Sequence, residues 1–541
     1  MTIFIGGAWP YANGSLHVGH IASLLPGDIL ARYFRQKGER VLYVSGTDCH
    51  GTPITISAQK EGVTPNDIAN KYHEEFEESF RQLGFSYDYY TRTDDEHHHR
   101  EVQNIFTELH EAGYLQVKEV KQTYCSDCEN FLPDRYVEGR CPVCKSYARG
   151  DQCDACSTIL DSVDLEEKRC KQCGGEPIIK DAEQFYFLLS HFQEGIESFL
   201  RKNGRHWRRN AVQLTKRYLE EGLVDRAATR DMEWGISVPI EGYHDKKIYV
   251  WIEAVVGYLS ASKKWSEATG AGWKPFWEGD VKAYYVHGKD NIPFHTIIWP
   301  AILLGLKRPL LPTHILSSEY LTIEKKKIST SQNWAVWIPD LLENYHPDSI
   351  RYFLCSNAPD KGDANFSWRE FIYSHNSELL GAFGNFVNRT LKFVDKFFAG
   401  KLEPAVVEER FITKGQYVYS QAGELLEKGE TKQALEVIFQ YVRAGNKYFD
   451  EERPWVSIKE NEQNCIQTLW TCVEWIQNLG NLLAPFLPTA CKQLREQLQF
   501  SPEPNWSYES LASCELSTVY PLFERIDVDR ICIEQEKLQQ R

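Results

Sequence analysis

The chain has 541 residues, 42% hydrophobic and 25% charged, enough for three or four domains with a substantial core. Its formal charge of −15 argues against a surface that binds nucleic acid everywhere, and leaves such contacts to local basic patches such as Arg201, Lys202, Arg205, Arg208, Arg209, Lys216 and Arg217. No apolar run reaches the roughly 18 residues of a membrane span, and the N-terminal residues lack the basic start of a signal peptide, so a cytoplasmic protein with reduced cysteines and no membrane contact is expected.

From Met1 to about Tyr114 strand-like and helix-like runs alternate, as in a parallel α/β sheet. Ile3, Phe4 and Ile5 read as a strand; Gly6, Gly7, Pro10, Asn13 and Gly14 then read as a tight turn, with a helix able to start at Leu16. His17 and His20 would share one face near that helix's N-terminus, where free N–H groups favour anions, and Gly14 and Gly19 leave room for close approach. The bland alternative is a glycine-rich turn with two surface histidines. Val41 to Val44 read as the second strand, which carries Asp48 just past its C-terminal end. There it either faces a ligand crevice or caps the next helix.

Cys125 and Cys128, Cys141 and Cys144, Cys153 and Cys156, and Cys170 and Cys173 form four Cys-x-x-Cys knuckles within fifty residues. Each can place two thiolates on a tetrahedral zinc, so four supply two closed, structural sites in a segment too poor in apolar residues to make its own core. Redox or iron–sulfur use is the alternative. Spacing leaves all three pairings of knuckles open.

A further strand is expected over Ile248–Glu253, continuing into Ala254, Val255, Val256, Gly257 and Tyr258. Trp251 and Tyr258 are then either pocket walls or core. The strand Ala283–Val286 leads to His287, Gly288, Lys289, Asp290 and Asn291, with His295 one helical turn later. A basic strip follows, Lys325, Lys326, Lys327, Ile328, Ser329, Thr330 and Ser331. From about Ser374 the pattern is helical throughout. Asn385 and Arg389 lie on one helix face there, suited to base edges, and Trp455 offers a stacking platform, although each is also a common structural residue.

The segment His17-Val18-Gly19-His20 resembles the HIGH signature of class I aminoacyl-tRNA synthetases, and the flanking Pro10-Tyr11-Ala12-Asn13-Gly14 resembles its methionyl form. Lys327 to Ser331 occupy the place of the family's second signature, KMSKS, about three hundred residues downstream, with Thr330 where a second lysine is usual. The resemblance spans nearly the full length. It implies a Rossmann-like parallel-sheet catalytic domain in two halves, 1–115 and 230–320, interrupted by a zinc-knuckle insertion over 116–229. A signature-loop and stem-contact region over 321–373 and an α-helical anticodon-binding bundle over 374–541 would follow.

As the resemblance implies, ATP with Mg2+ would meet His17, Gly19, His20, Gly288, Asp290, Lys327, Ile328, Ser329 and Thr330, with His17, His20 and Lys327 catalytic. Lys325 or Lys326 would assist Lys327. L-methionine would meet Ala8, Trp9, Tyr11, Asp48, Trp251, Val255, Tyr258 and His295, with Trp9 and Val255 standing where the family usually has Leu and Pro. Asn385, Arg389 and Trp455 would read the anticodon of tRNA(Met). One zinc would sit on Cys125, Cys128, Cys170 and Cys173, the other on Cys141, Cys144, Cys153 and Cys156. No dimerising β-barrel domain is evident before Arg541, so a monomer is expected. The competing readings are an adenylate-forming nucleotidylyltransferase that acts without tRNA, and a non-catalytic tRNA-binding paralogue.

Overall fold

The computed structural model describes residues 1–132, 136–150, 153, 155–156, 160, 162–308, 312–330, 333–500 and 503–540. Strand β1 (Thr2–Gly7) runs into helix α1 (Val18–Gln36), which returns the chain to β2 (Arg40–Thr47) and, two helices later, to β3 (Tyr89–Arg92). After the insertion and helix α2 (Val250–Thr269) come β4 (Val281–Gly288) and β5 (His314–Ser318). Together these make one parallel sheet in the order β5-β4-β1-β2-β3.

The sheet is covered on both faces, and its strands read as near-continuous apolar runs for that reason. Ile3, Ile5, Tyr43, Tyr284 and Val286 point into a core shared with α1 and the C-terminal helices, whereas Phe4, Leu42, Val44, Ala283 and Tyr285 point into a second core shared with α2. Chain reversal between β1 and β4 makes their C-terminal ends the crevice of the sheet, where ligands of such folds bind.

The strand expected over Ile248–Glu253 is not there. Only Lys247–Ile248 pair as a strand, with Thr229–Arg230, and α2 begins at Val250. Ile252, Val255, Val256 and Leu259 are all buried, a spacing of three, four and seven residues that buries one helix face. That periodicity outweighs the local β preference of Ile, Tyr, Val and Trp.

Beyond β5 a small hairpin forms from β6 (Leu321–Ile323) and β7 (Lys326–Lys327). Helix α3 (Pro347–Ser356) then leads into the helical C-terminal part, which contains α4 (Asn385–Phe398) and ends on α5 (Arg530–Gln540). A two-residue strand pair, Lys401–Leu402 with Cys514–Glu515, interrupts the helices. In the insertion, long antiparallel strands Leu115–Cys125 and Ile178–Phe187 form a stalk carrying the knuckles at its tip. Among the described residues no helix is long and apolar enough to cross a membrane.

Candidate active site

The first wall of the site is the start of α1. His17 is its N-cap, with extended backbone (φ −120°, ψ 167°), and its Nδ1 accepts the Gly19 N–H at 3.1 Å, while Nδ1 of His20 accepts the His17 N–H at 3.2 Å. The two histidines therefore do the work of a capping box and stack with ring centroids 3.8 Å apart. Burial lowers both pKa values, His20 to about 4, and the neighbouring His20 lowers His17 further. Both rings are neutral at pH 7. Since each Nδ1 is an acceptor, each proton sits on Nε2, giving two N–H donors beside the positive end of the α1 dipole.

The second wall is the β6–β7 hairpin. Its two-residue turn, Glu324 and Lys325, has φ of 47° and 65°, the left-handed pair that a tight hairpin of this twist requires. The Lys325 N–H donates to Asn365 Oδ1 at 2.6 Å, and Glu324 accepts from the Trp368 N–H and from Gln535 of α5. Strand alternation separates the lysines: Lys326 lies over the Trp334 ring, and Lys327 faces Tyr320 and the cavity. Neither Lys325 nor Lys326 lines the cavity. The second ammonium there is Lys289, paired with Glu319 and Asp363. Ser331 lies outside the described residues.

The two walls touch. The Val18 N–H donates to Val336 O at 3.0 Å and the Ile338 N–H to Leu16 O at 2.8 Å, so the chain just past the hairpin is hydrogen-bonded to the histidine loop. A Cβ on Gly19 would come 3.2 Å from Ile328 Cδ1 and 3.0 Å from the His17 ring, so a side chain here would crowd both walls.

Between the walls lies a cavity of about 620 Å³. Ala8, Trp9, Tyr11, His17, Gly19, His20, Asp48, Trp251, Val255, Tyr258, Gly288, Asp290, His295, Lys327, Ile328, Ser329 and Thr330 all line it. Asp48 is buried just beyond β2; burial and the nearby Glu253 push its carboxyl well above the usual range. A bound cation would pull it back down. His295 sits in a π-helical turn, Phe294–Ile298, and its Nδ1 lies 2.8 Å from Asn291 O. A carbonyl only accepts, so Nδ1 carries the proton and Nε2 accepts the Tyr258 hydroxyl at 2.7 Å. Trp9 is wedged between two glycines: a Cβ on Gly46 or Gly257 would fall 2.6 or 2.5 Å from its ring. Tyr249, Trp251 and Phe294 pack ring against ring at tilted angles, with centroids 5.1 and 4.8 Å apart. Glu319 and Tyr320 also line the cavity and were missed by sequence reasoning, although they follow β5 at the same strand end that identified Asp48 after β2.

The knuckles pair as outer with outer and inner with inner. Sulfurs of Cys125, Cys128, Cys170 and Cys173 lie within 4.8 Å of one another, as do those of Cys141, Cys144, Cys153 and Cys156. The closest contacts across knuckles are 3.4 and 3.9 Å in the first set and 3.8 and 3.5 Å in the second. A tetrahedral ion with metal–sulfur bonds of about 2.3 Å spaces its sulfurs by about 3.8 Å, so both sets fit one zinc each. The turn after Cys128, Cys144 and Cys173 is left-handed at Glu129, Lys145 and Gly174.

In the helical part, a π-helical stretch, His375–Gly384, leads directly into Asn385, which is exposed on α4. Arg389, one turn on, pairs with Asp450, donates to Asn446 O and lies 4.3 Å over the Phe449 ring; Phe449 in turn packs against Trp455, which is 45% exposed. The structure thus brings Arg389 and Trp455 onto one patch with Phe449 between them.

The family model described as class I (M) tRNA synthetases matches residues 3–391, and that of the anticodon binding domain of methionyl tRNA ligase matches residues 402–528. Methionine–tRNA ligases of Bacillus anthracis and Bacillus cereus are each 59% identical over 540 residues, covering 99% of this chain and 99% of their own. The crystal structure of Mycobacterium tuberculosis methionyl-tRNA synthetase bound by methionyl-adenylate is 22% identical, covers 97% of this chain and 100% of its own, and shares the fold with a TM-score of 0.80. With two matching family models end to end and full-length relatives at this identity, the chain belongs to the class I methionyl-tRNA synthetases, the methionine–tRNA ligases.

Proposed function

We propose that the ligase reaction runs in two steps inside the one cavity. In the first, a carboxylate oxygen of L-methionine bonds to the α-phosphorus of ATP, delivered with Mg2+. The bond from that phosphorus to its bridging oxygen breaks, and the electron pair leaves with pyrophosphate. In the second, a hydroxyl of the terminal adenosine of tRNA(Met) attacks the methionyl carbonyl carbon; AMP departs with its bonding pair and the hydroxyl proton goes to solvent.

Asp48 holds the substrate ammonium, and Ala8, Trp9, Tyr11, Trp251, Val255, Tyr258 and His295 enclose the thioether with polarisable faces. Gly288 and Asp290 take the ribose. His17 and His20 donate Nε2–H groups to the phosphates beside Gly19, and Lys327, on the loop that continues through Ile328, Ser329 and Thr330, neutralises the departing pyrophosphate. Each cysteine set would hold a zinc that supplies structure only, since four thiolates leave no open position. Asn385, Arg389 and Trp455 meet the anticodon. The working form is a cytoplasmic monomer, with 1–115 and 230–320 as the catalytic halves, 116–229 the insertion, 321–373 the signature-loop region and 374–541 the tRNA-reading bundle.

The observation that carries this reading is that the histidine pair, Lys327 and Asp48 line one cavity. Methionine-dependent ATP–pyrophosphate exchange, with other amino acids as controls, tests it, followed by charging of tRNA(Met). Exchange with methionine alone and charging of that tRNA are expected. Exchange without charging would favour an adenylate-forming enzyme that acts without tRNA, and tRNA binding without exchange a non-catalytic paralogue.

A further inference from the structure

Tyr320 belongs to neither signature, yet it joins the two halves of the nucleotide site. It stands between the end of β5 and the start of β6, and its backbone N–H donates to Asp363 Oδ1 at 3.0 Å, which fixes its place. Its hydroxyl donates to Asp290 Oδ1 at 2.6 Å. Its ring has two ammonium groups near it, Lys289 Nζ at 3.7 Å and Lys327 Nζ at 5.5 Å from the centroid. Burial and the adjoining Asp290 push the phenol pKa upward, so the hydroxyl remains a donor. One side chain therefore engages the carboxylate assigned to the ribose and the ammonium assigned to the pyrophosphate.

We propose that Tyr320 is a positioning residue that couples ribose capture to release of the Lys327 hairpin. This rests on the roles given above to Asp290 and Lys327. A ribose hydroxyl and the Tyr320 hydroxyl compete for the same carboxylate oxygen. When the ribose wins, the ring turns away from Asp290 and gives up its hold on Lys327, which is then free to move onto the phosphates. The lysine is thus withheld until a nucleotide with an intact ribose is seated. Cation–ring attraction of this kind is strong enough to bias an ammonium but weak enough to be exchanged for a phosphate.

Tyr320→Phe removes the competing hydroxyl and keeps the ring. A net hydrogen bond corresponds to a factor of about 2 to 10 in affinity, so KM for ATP in methionine-dependent exchange is expected to fall by about that factor, with KM for methionine unchanged. The gain should vanish with whichever of 2′-deoxy-ATP and 3′-deoxy-ATP lacks the competing hydroxyl. Tyr320→Leu removes the ring as well, so Lys327 is no longer withheld, and it should show the same fall in KM for ATP without loss of kcat. A purely structural tyrosine predicts loss in both variants and no dependence on the ribose. A rise in KM for ATP in Tyr320→Phe would overturn the proposal, because the hydroxyl would then bind the nucleotide itself; so would an unchanged KM, or an equal gain with both deoxy nucleotides. If the unaltered chain shows no exchange with methionine, the underlying assignment of the site fails too, whereas normal exchange with an indifferent Tyr320→Phe removes the coupling alone.

Discussion

Two neutral imidazoles with fixed tautomers are what the histidine signature amounts to at the residue scale. The motif alone left open whether His17 and His20 were ligands or surface groups. Their backbone hydrogen bonds decide which nitrogen carries the proton, and burial decides that neither ring is charged. Spectra of the chain labelled with 15N-histidine should show the Nε2–H tautomer for both rings from pH 8 down to about pH 5, with His20 titrating near pH 4. An inflection near the ordinary value of about 6.5, or an Nδ1–H signal, would contradict this. Asp48 was legible because it sits just past a strand of a parallel sheet. Tyr320 was not, since its meaning depends on Asp290 and Lys327 arriving beside it from two other elements.

The insertion shows the same division at the scale of elements. Its four knuckles were plain in the sequence, but spacing alone could not say which share an ion; the stalk decides by folding the outer two together and the inner two at its tip. The tip's apolar cluster is largely the inward-facing Cys125, Cys141, Cys153 and Cys170 with Leu132, Tyr136, Val137, Ala148 and Leu165. So small a core depends on metal. Metal analysis of the whole chain should give two zincs, and Cys141→Ser combined with Cys144→Ser should leave one, with new protease sensitivity confined to the tip. A variant that kept both zincs, or a chain that carried iron, would contradict the assignment. By contrast α2 was misread at its start, because a β-branched and aromatic run looks alike in a strand and in a buried helix until the spacing of its buried residues is known.

Across the whole molecule, the sheet and the helical part are joined by a fully buried ion pair that no local pattern announced. Arg351 of α3 pairs with Asp28 of α1 at 2.7 Å and donates to Phe486 O, Pro485 O and Leu83 O. Burial alone would raise the Asp28 carboxyl, but Arg32, Arg351 and Ser86 outweigh it and hold its pKa at about 2. A depressed carboxyl contributes stability above its unfolded value of about 3.9 and loses it as pH falls toward 2, which here amounts to about 2 to 3 kcal/mol. Arg351→Met leaves the buried carboxylate short of a partner and should cost about 3 kcal/mol or more in urea unfolding at pH 7. The deficit should shrink between pH 4 and pH 2. A pH-independent deficit would mean that Asp28 is not the group concerned. The parallel sheet and the helical C-terminal part were readable from periodicity; this junction, made of residues far apart in the chain, was not.

The central claim is that the His17–His20 loop and Lys327 act on one nucleotide. Single-turnover formation of methionyl-adenylate tests it most directly, in the unaltered chain, His20→Ala, Lys327→Ala and the double variant. Removing one preorganised donor typically costs about 10²- to 10³-fold, so each single variant should slow adenylate formation by about that factor while methionine affinity holds, and the two effects should not simply multiply. Adenylate formed at the unaltered rate by either single variant would contradict the account.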